Sequence, residues 1–228
     1  MKALLYEFAT WAELIGILIP LCYIIITKPK SREIRPLVLY IYVASVFIIL
    51  STTISKIHEK APVLEQGNLV IYNTHSIIRV LFASWYIAAF KGLWSSTLIR
   101  IILPVYCIAV LINFLFLHQS FLNFSDRLHS AESVLLLFIC IVYFLSTIID
   151  VSDTIWMNHP SFVFVAGLNF YEAITFFVFL FFNLINVHES YRHSFGEVLM
   201  ILFAFSYIVF CICLTFTIKK SIASNRSV

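Results

Sequence analysis

Charged residues are scarce in this chain. Only 12% of its 228 residues are Asp, Glu, Lys or Arg, whereas 61% are hydrophobic and the mean hydropathy is +0.98. A water-soluble domain of this length needs far more charge to cover its surface, while helices that face lipid need almost none. The scarcity of charge excludes a soluble fold and predicts an all-α polytopic membrane protein with the lipid bilayer as its solvent. The net charge of +3 is too small to predict nucleic-acid binding.

Other absences exclude particular chemistries. No lysine lies deep in an apolar segment, so a retinal Schiff base has no attachment point. The sequence has neither a Gly-rich phosphate-binding loop nor a G-x-S-x-G nucleophile motif. Its five glycines predict few close helix crossings, since Gly92, Gly167 and Gly196 fall at or near expected helix ends. All five cysteines lie in apolar segments, which indicates packing rather than disulfide pairing: Cys22, Cys107, Cys140, Cys211 and Cys213.

Long apolar runs divide the chain into seven predicted transmembrane helices within a single domain, 1–228. Each run is close to the roughly 20 residues that cross a bilayer core. The helices are expected at about 5–27, 37–56, 69–90, 98–117, 128–149, 161–186 and 195–218. Glu7 and Glu13 interrupt the first run and no cleavage site follows it, so it is read as a helix rather than a signal peptide.

The distribution of basic residues predicts the orientation. Cytoplasmic loops carry the excess of Lys and Arg, and the segment KPKSREIR is the most basic connection in the chain. An outside N-terminus and a cytoplasmic C-terminus give the inner face nine basic residues and the outer face five. The inner set is Lys28, Lys30, Arg32, Arg35, Lys91, Arg100, Lys219, Lys220 and Arg226, and the outer set is Lys2, Lys56, Lys60, Arg127 and Arg192. The basic residues therefore predict an integral, multi-pass membrane protein whose most basic face is cytoplasmic.

Arg79 lies at the middle of the third predicted helix. A cation at the bilayer midplane costs between about 2.5 and 17 kcal/mol, so it is expected to face a partner or a cavity. Tyr72, Arg79 and Tyr86 recur at intervals of seven on one helix face, and His75 and Asn73 lie near its outer part. This polar stripe predicts that Arg79 faces the interior of the bundle.

The sixth predicted helix offers a partner for Arg79. Glu172 lies at a similar depth, which predicts an ion pair between the two, with Glu13 of the first helix as the competing partner. A stripe at 3,4 spacing surrounds Glu172: Asn169, Phe176, Phe179, Asn183 and Asn186. The ion pair either fixes helix register or is shifted by a ligand or proton that moves helices three and six. The predicted ligand-binding residues are Arg79, Glu172, Asn73, Asn169, Tyr72 and Glu13.

Two histidine–glutamate pairs have the spacing of metal ligands. His129 with Glu132, and His193 with Glu197, each share a helix face, and His75 is expected in the same outer half of the bundle. Imidazole and carboxylate groups on facing helices build divalent metal sites in helical bundles. These histidines are therefore either metal ligands or hydrated residues at the membrane interface. In the predicted orientation the polar groups gather in the outer half, which is typical of a ligand pocket rather than a transport path.

Four segments of the chain resemble a group of small seven-helix bacterial membrane proteins that are often encoded beside sensor histidine kinases. The segments are IYNTHSIIRVLF, NFSDRLHSAESVLLLFICIVYFL, IWMNHPSFVFVAGLNFYEAITFFVF and HSFGEVLMILFAFSYIVF. The shared features are aromatic and polar positions within apolar helices. The resemblance implies a seven-helix fold in a bacterial inner membrane and a role in signalling, and no catalytic motif accompanies it.

Together these features predict a membrane-embedded sensor or accessory protein with an outward-facing polar pocket. Short inner loops and a short tail leave no room for an output domain, so the signal is expected to pass to a separate membrane or cytoplasmic partner protein. The first alternative is a metal-dependent hydrolase at the outer leaflet, with His75, His129 and His193 as ligands and Glu132 or Glu197 as general base. The second is a small transporter or channel subunit.

Overall fold

All secondary structure in the described residues is helical. The computed structural model describes residues 2–58, 65–90, 93–115, 126–149, 159–187 and 195–224. The helices are α1 (Lys2–Thr27), α2 (Arg35–His58), α3 (Glu65–Phe90), α4 (Leu93–Leu115), α5 (Asp126–Ile149), α6 (Pro160–Val187) and α7 (Phe195–Ser224). All seven predicted segments are confirmed as helices in the described residues. Most extend beyond the predicted bounds by one to several residues, because polar residues continue the helices past their apolar runs.

Prolines and one left-handed residue set several helix ends. Lys28 has a φ of 45°, and its N–H donates to the carbonyl of Ile24 at 2.8 Å, which closes the last turn of α1. Pro29 follows and cannot continue the helix. Pro36 and Pro160 lie in the first turns of α2 and α6. Backbone N–H groups there make no hydrogen bond within the helix, so a proline costs none.

Six of the helices form a closed ring in the order α1, α2, α3, α5, α6 and α7, with α7 packing back against α1. α4 packs beside the ring against α3 and α5, and α3 also contacts α6 across the ring. This topology brings α3, α5 and α6 together, so a side chain in the middle of α3 faces two neighbouring helices.

The outer surface of the bundle is strongly apolar. Ile26, Val105 and Ile148 are 80%, 61% and 63% exposed, whereas Ile17, Ile41 and Leu136 are fully buried. Exposed apolar residues on this scale indicate contact with lipid rather than water.

Four helices in the described residues are long and apolar enough to cross a membrane: Arg35–Ile57, Leu128–Ile148, Pro160–Phe181 and Val198–Ser224. Shorter apolar stretches cover Trp11–Thr27 and Arg100–Ile112. α3 is the least apolar of the seven helices, because it carries the polar stripe around Arg79. These features are those of an integral membrane protein.

Close crossings are more important than the sequence predicted. Gly167 lies inside α6, where an added Cβ would be 2.5 Å from the Cβ of Cys213 on α7. A Cβ added at Gly16 on α1 would lie 3.1 Å from the ring of Tyr207 on α7. Gly167 lies about two turns from the start of α6, and it allows α6 and α7 to approach closely there.

Candidate functional site

The polar stripe of α3 faces the interior of the ring, as predicted. Arg79 is only 6% exposed and Tyr86 is fully buried. Asn73 and Ser76 are also buried, on the preceding turns of the same helix. The periodicity of α3 therefore places a guanidinium among protein groups rather than against lipid.

Arg79 reaches two other helices of the ring. Its Nε donates a hydrogen bond to Oε1 of Glu132 on α5 at 2.7 Å, and its Nη1 donates to the hydroxyl of Tyr171 on α6 at 2.9 Å. The guanidinium carbon also lies 5.1 Å from the centre of the Tyr171 ring, which adds a cation–π contact. Oε1 of Glu172 on α6 is 3.3 Å from Nε. One cation thus links three helices.

Glu132 is fully buried and has two further partners. The Ser76 hydroxyl on α3 donates to its Oε2, and Nδ1 of His129, one turn earlier on α5, lies 3.6 Å from the same oxygen. The His129 ring stacks on Phe179 of α6, with ring centres 4.9 Å apart. The carboxylate of Glu132 is therefore held from α3 and from its own helix, which fixes it as the main acceptor for Arg79.

The predicted ion pair between Arg79 and Glu172 is present, but Glu132 is the closer carboxylate. The sequence assigned Glu132 to a metal site because its spacing from His129 places both side chains on one helix face. Arg79 follows the start of α3 by almost four turns, or about 21 Å, whereas Glu132 follows the start of α5 by about 9 Å. The two side chains meet because α3 begins about 12 Å before α5, measured in the direction in which both helices run.

Glu13 has a different contact from the one predicted. The Tyr72 hydroxyl donates to Oε2 of Glu13 at 3.2 Å, which joins α1 to α3 about two turns before Arg79. Within the described part of the chain, the ion pairs of Arg79 are those with Glu132 and Glu172. Glu13 and Tyr72 thus form a second polar contact of the same interior.

The interior face of α6 is offset from the predicted stripe. The buried positions next to Arg79 and Glu132 include Leu168, Tyr171, Glu172 and Thr175, whereas Asn169 is only half-buried. Phe179 belongs both to the predicted stripe and to the observed interior face, because it packs against His129 and Phe203. The side chains of Asn183 and Asn186 lie outside the described residues. The offset arises because α6 packs between α5 and α7. These two helices together cover a broad face of α6 that includes Tyr171.

The predicted metal residues divide between described and undescribed parts of the chain. His75 is buried and stacks on Tyr40 of α2, with ring centres 6.2 Å apart and planes 7° from parallel. In the described residues no group of three or more His, Cys, Asp or Glu side chains has the arrangement of a metal site. His193 and the side chain of Glu197 lie outside the described residues, so the metal prediction is untested.

A small cavity of about 10 Å³ adjoins Arg79 on the side away from Ser76. Its walls are mostly apolar and come from α2, α3, α6 and α7: Leu37, Tyr40, Phe82, Ala83, Phe164, Leu168 and Phe210. The volume is about that of one water molecule, so this layer packs almost completely. The charged groups are therefore bounded on one side by close-packed aromatic and aliphatic residues.

The arrangement gives one guanidinium a choice of two carboxylates on different helices. Formally the site holds one positive and two negative charges in surroundings of low dielectric, where an unbalanced charge is costly. Anything that engages one carboxylate leaves Arg79 to the other. Such a group is suited to binding and switching, since it links three helices through a single cation.

Two residues of the site were missed by the sequence prediction. Ser76 lies one turn before Arg79, and Tyr171 directly precedes Glu172. The i, i+3 spacing of Ser76 and Arg79 placed them on one face, which was the available signal. Tyr171 had no such signal, because its contact depends on how α6 is rotated against α3.

Comparison with protein-family models, with curated proteins and with solved structures finds no match to this chain. The resemblance to small seven-helix bacterial proteins therefore stays an expectation. Functional inference rests on the geometry around Arg79.

Proposed function

We propose that this chain is a seven-span sensor of a bacterial inner membrane, with its N-terminus outside and its C-terminus in the cytoplasm. Its polar interior around Arg79 binds a small ligand or ion that enters from the outside, and the resulting helix movement is relayed to a separate protein partner. The observation that carries the proposal is the position of the Arg79 guanidinium, 2.7 Å from Glu132 on α5 and 3.3 Å from Glu172 on α6.

Helix length supports seven spans. The seven helices have 23 to 30 residues each. At a rise of 1.5 Å per residue the shortest is about 35 Å long, which exceeds the roughly 30 Å of the hydrocarbon core. The less apolar α3 is accommodated because its charged and polar groups face protein.

The unequal distances support a switch rather than a fixed brace. A buried pair that serves only to set helix register needs one carboxylate, whereas here Arg79 has two on different helices. A ligand that binds one carboxylate better in one helix arrangement shifts the population toward that arrangement. In the described arrangement Arg79 lies closer to Glu132 on α5 than to Glu172 on α6, and a ligand that engages either carboxylate leaves the guanidinium to the other one.

The basic segment between α1 and α2 is the proposed output surface. Lys28, Lys30, Arg32 and Arg35 are all exposed in the described structure, at the end of the bundle where α3 and α5 finish. Clustered exposed cations attract an acidic partner surface, and charge complementarity there sets specificity and association rate.

The switch is testable by measuring the distance between α3 and α5. Spin labels at Ala89→Cys and Ile148→Cys, both exposed positions near the ends of these helices, report on it in a background that lacks the native cysteines. Pulsed electron paramagnetic resonance in lipid nanodiscs gives the distance distribution. We expect Glu132→Gln to shift the distribution, since Arg79 then pairs with Glu172 alone.

The control variant is Glu33→Gln, which removes an exposed carboxylate from the basic segment and should leave the distribution unchanged. Identical distributions in the parent, Glu132→Gln and Glu172→Gln proteins would mean that the charges only hold helix register, and the sensor proposal would be abandoned. Neither the hydrolase nor the transporter alternative has an observation of its own in the described part of the chain.

A further inference from the structure

Two buried hydroxyl groups lie beside the charged residues. Ser133 on α5 and Thr175 on α6 are fully buried; the Thr175 hydroxyl has no hydrogen-bond partner among the described residues, and the Ser133 hydroxyl has the Glu172 carboxylate as its neighbour. By contrast, Ser45 on α2, Thr147 on α5 and Thr217 on α7 each bond back to a backbone carbonyl at 2.7 to 2.8 Å. An unpaired buried hydroxyl is destabilising, so Thr175 requires an explanation.

Both hydroxyls belong to the space around Glu172. Ser133 lies within interaction range of the Glu172 carboxylate across the α5–α6 contact. Thr175 is three residues after Glu172, hence on the same face of α6 and one turn further along. The stacked pair of His129 and Phe179 closes the next turn of the same two helices. The hydroxyls and the carboxylate therefore lie close together between α5 and α6.

The carboxylate of Glu172 is itself incompletely paired. Its Oε1 lies 3.3 Å from Nε of Arg79, and the neighbouring Ser133 hydroxyl carries no charge. The shorter contact of Arg79 goes to Glu132, so the positive charge is already engaged. Counting histidine as neutral, one negative charge remains, and buried charges in proteins are normally paired or bound to a metal.

We propose that Glu172, Ser133 and Thr175 form a binding site for a single monovalent metal cation, with sodium as its natural occupant. This inference rests on the proposed function, because it names the ligand class of the sensor. Carboxylate and hydroxyl oxygens are hard ligands, and three of them from two adjacent helices supply half of a coordination shell that water completes.

Charge favours a monovalent over a divalent ion. One added positive charge balances Arg79, Glu132 and Glu172, whereas two would leave a surplus in a low-dielectric interior. Oε1 of Glu172 is the oxygen that faces Arg79, so Oε2 is the one that takes the cation. Occupation draws Glu172 away from Arg79 and leaves the guanidinium to Glu132.

Thermal unfolding of the full chain in nanodiscs of neutral lipid tests the site. Sodium chloride is titrated against choline chloride at constant ionic strength and pH, with lithium and potassium chloride as further probes. We expect the unfolding temperature to rise with sodium and not with choline, because the ion binds the folded state alone. Ser133→Ala and Thr175→Val should weaken the apparent sodium affinity by about tenfold each.

Matched controls are Ser146→Ala on α5 and Thr147→Ala, whose hydroxyls bond to a backbone carbonyl and should leave the sodium response unchanged. Glu172→Gln should abolish the response and raise the unfolding temperature without sodium, since it removes the surplus charge. Binding of radioactive sodium to the same nanodiscs provides a second readout that does not depend on stability, and Thr175→Ser should restore what Thr175→Val loses.

Equal stabilisation by sodium and choline, or a sodium response that survives in Glu172→Gln, would overturn the inference. So would a stability that follows pH alone and loses this dependence in Glu172→Gln, because Glu172 would then take a proton. Each of these results leaves the α3–α5 distance test unaffected. The sensor proposal can therefore stand when the sodium site fails.

Discussion

A guanidinium inside a membrane bundle has to be compensated where it lies. Arg79 is compensated by Glu132, by the Tyr171 hydroxyl and ring, and by the longer contact with Glu172. Buried ion pairs of this kind are weak evidence for stability, because desolvation offsets much of the attraction. They do specify which helix faces meet, because any other packing leaves a charge unpaired.

The two carboxylates are predicted to differ in what they contribute. Glu132→Gln leaves the longer pair and weakens the acceptor for Ser76 and His129, whereas Glu172→Gln leaves the shorter pair intact. We expect Glu132→Gln to lower the free energy of unfolding by about 2 kcal/mol more than Glu172→Gln. Titration with sodium dodecyl sulfate in mixed micelles measures the free energy of unfolding of both variants. Equal losses would contradict the ranking of the two contacts.

At the scale of helices, the ring depends on the close approach of α6 to α7. Gly167 permits that approach, since a methyl group there would lie 2.5 Å from the Cβ of Cys213. The contact of Gly16 with Tyr207 at 3.1 Å involves one edge of an aromatic ring, which has more freedom to shift than a backbone-attached carbon.

The two glycines therefore form a matched pair of substitutions. Alanine gains about 1 kcal/mol of helix propensity over glycine at either position. We expect Gly167→Ala to destabilise the protein by at least about 2 kcal/mol, because two helices must move apart, and Gly16→Ala to change stability by less than about 1 kcal/mol. The same detergent titration distinguishes them. A neutral Gly167→Ala would mean that α6 and α7 are not packed this closely.

The helices could be predicted from the sequence, but not how high each one sits in the bundle. Apolar runs located the seven helices of the described residues, because a long apolar segment satisfies its own backbone hydrogen bonds when it is helical. The face of α3 that carries Tyr72 and Arg79 also followed from its spacing. The pairing of Arg79 with Glu132 could not be predicted, because it depends on the offset between α3 and α5 and on the rotation of α6.

At the scale of the whole molecule, the proposed orientation depends on the basic segment before α2. Replacing Lys28, Lys30, Arg32 and Arg35 by Gln should reduce the fraction of molecules with a cytoplasmic C-terminus. A C-terminal fusion to a fluorescent protein that matures only in the cytoplasm, paired with an alkaline phosphatase fusion that works only outside, reports the fraction. We expect fluorescence from the parent chain and a partial shift to phosphatase activity in the variant.

The control for orientation is Asp150→Asn with Asp153→Asn, since acidic residues contribute little to topology. This variant should keep the fluorescence of the parent. Phosphatase activity from the parent chain itself would reverse the proposed orientation, and the polar interior would then open toward the cytoplasm.

The central claim is that Arg79 and Glu132 interact directly inside the bundle. A double-mutant cycle of Arg79→Gln, Glu132→Gln and the double variant, followed by detergent unfolding, isolates their coupling from the rest of the structure. We predict a coupling free energy of at least about 2 kcal/mol, with the double variant more stable than Arg79→Gln alone because it no longer buries an unpaired carboxylate at Glu132. Losses that add to within about 0.5 kcal/mol would show that the two side chains do not meet.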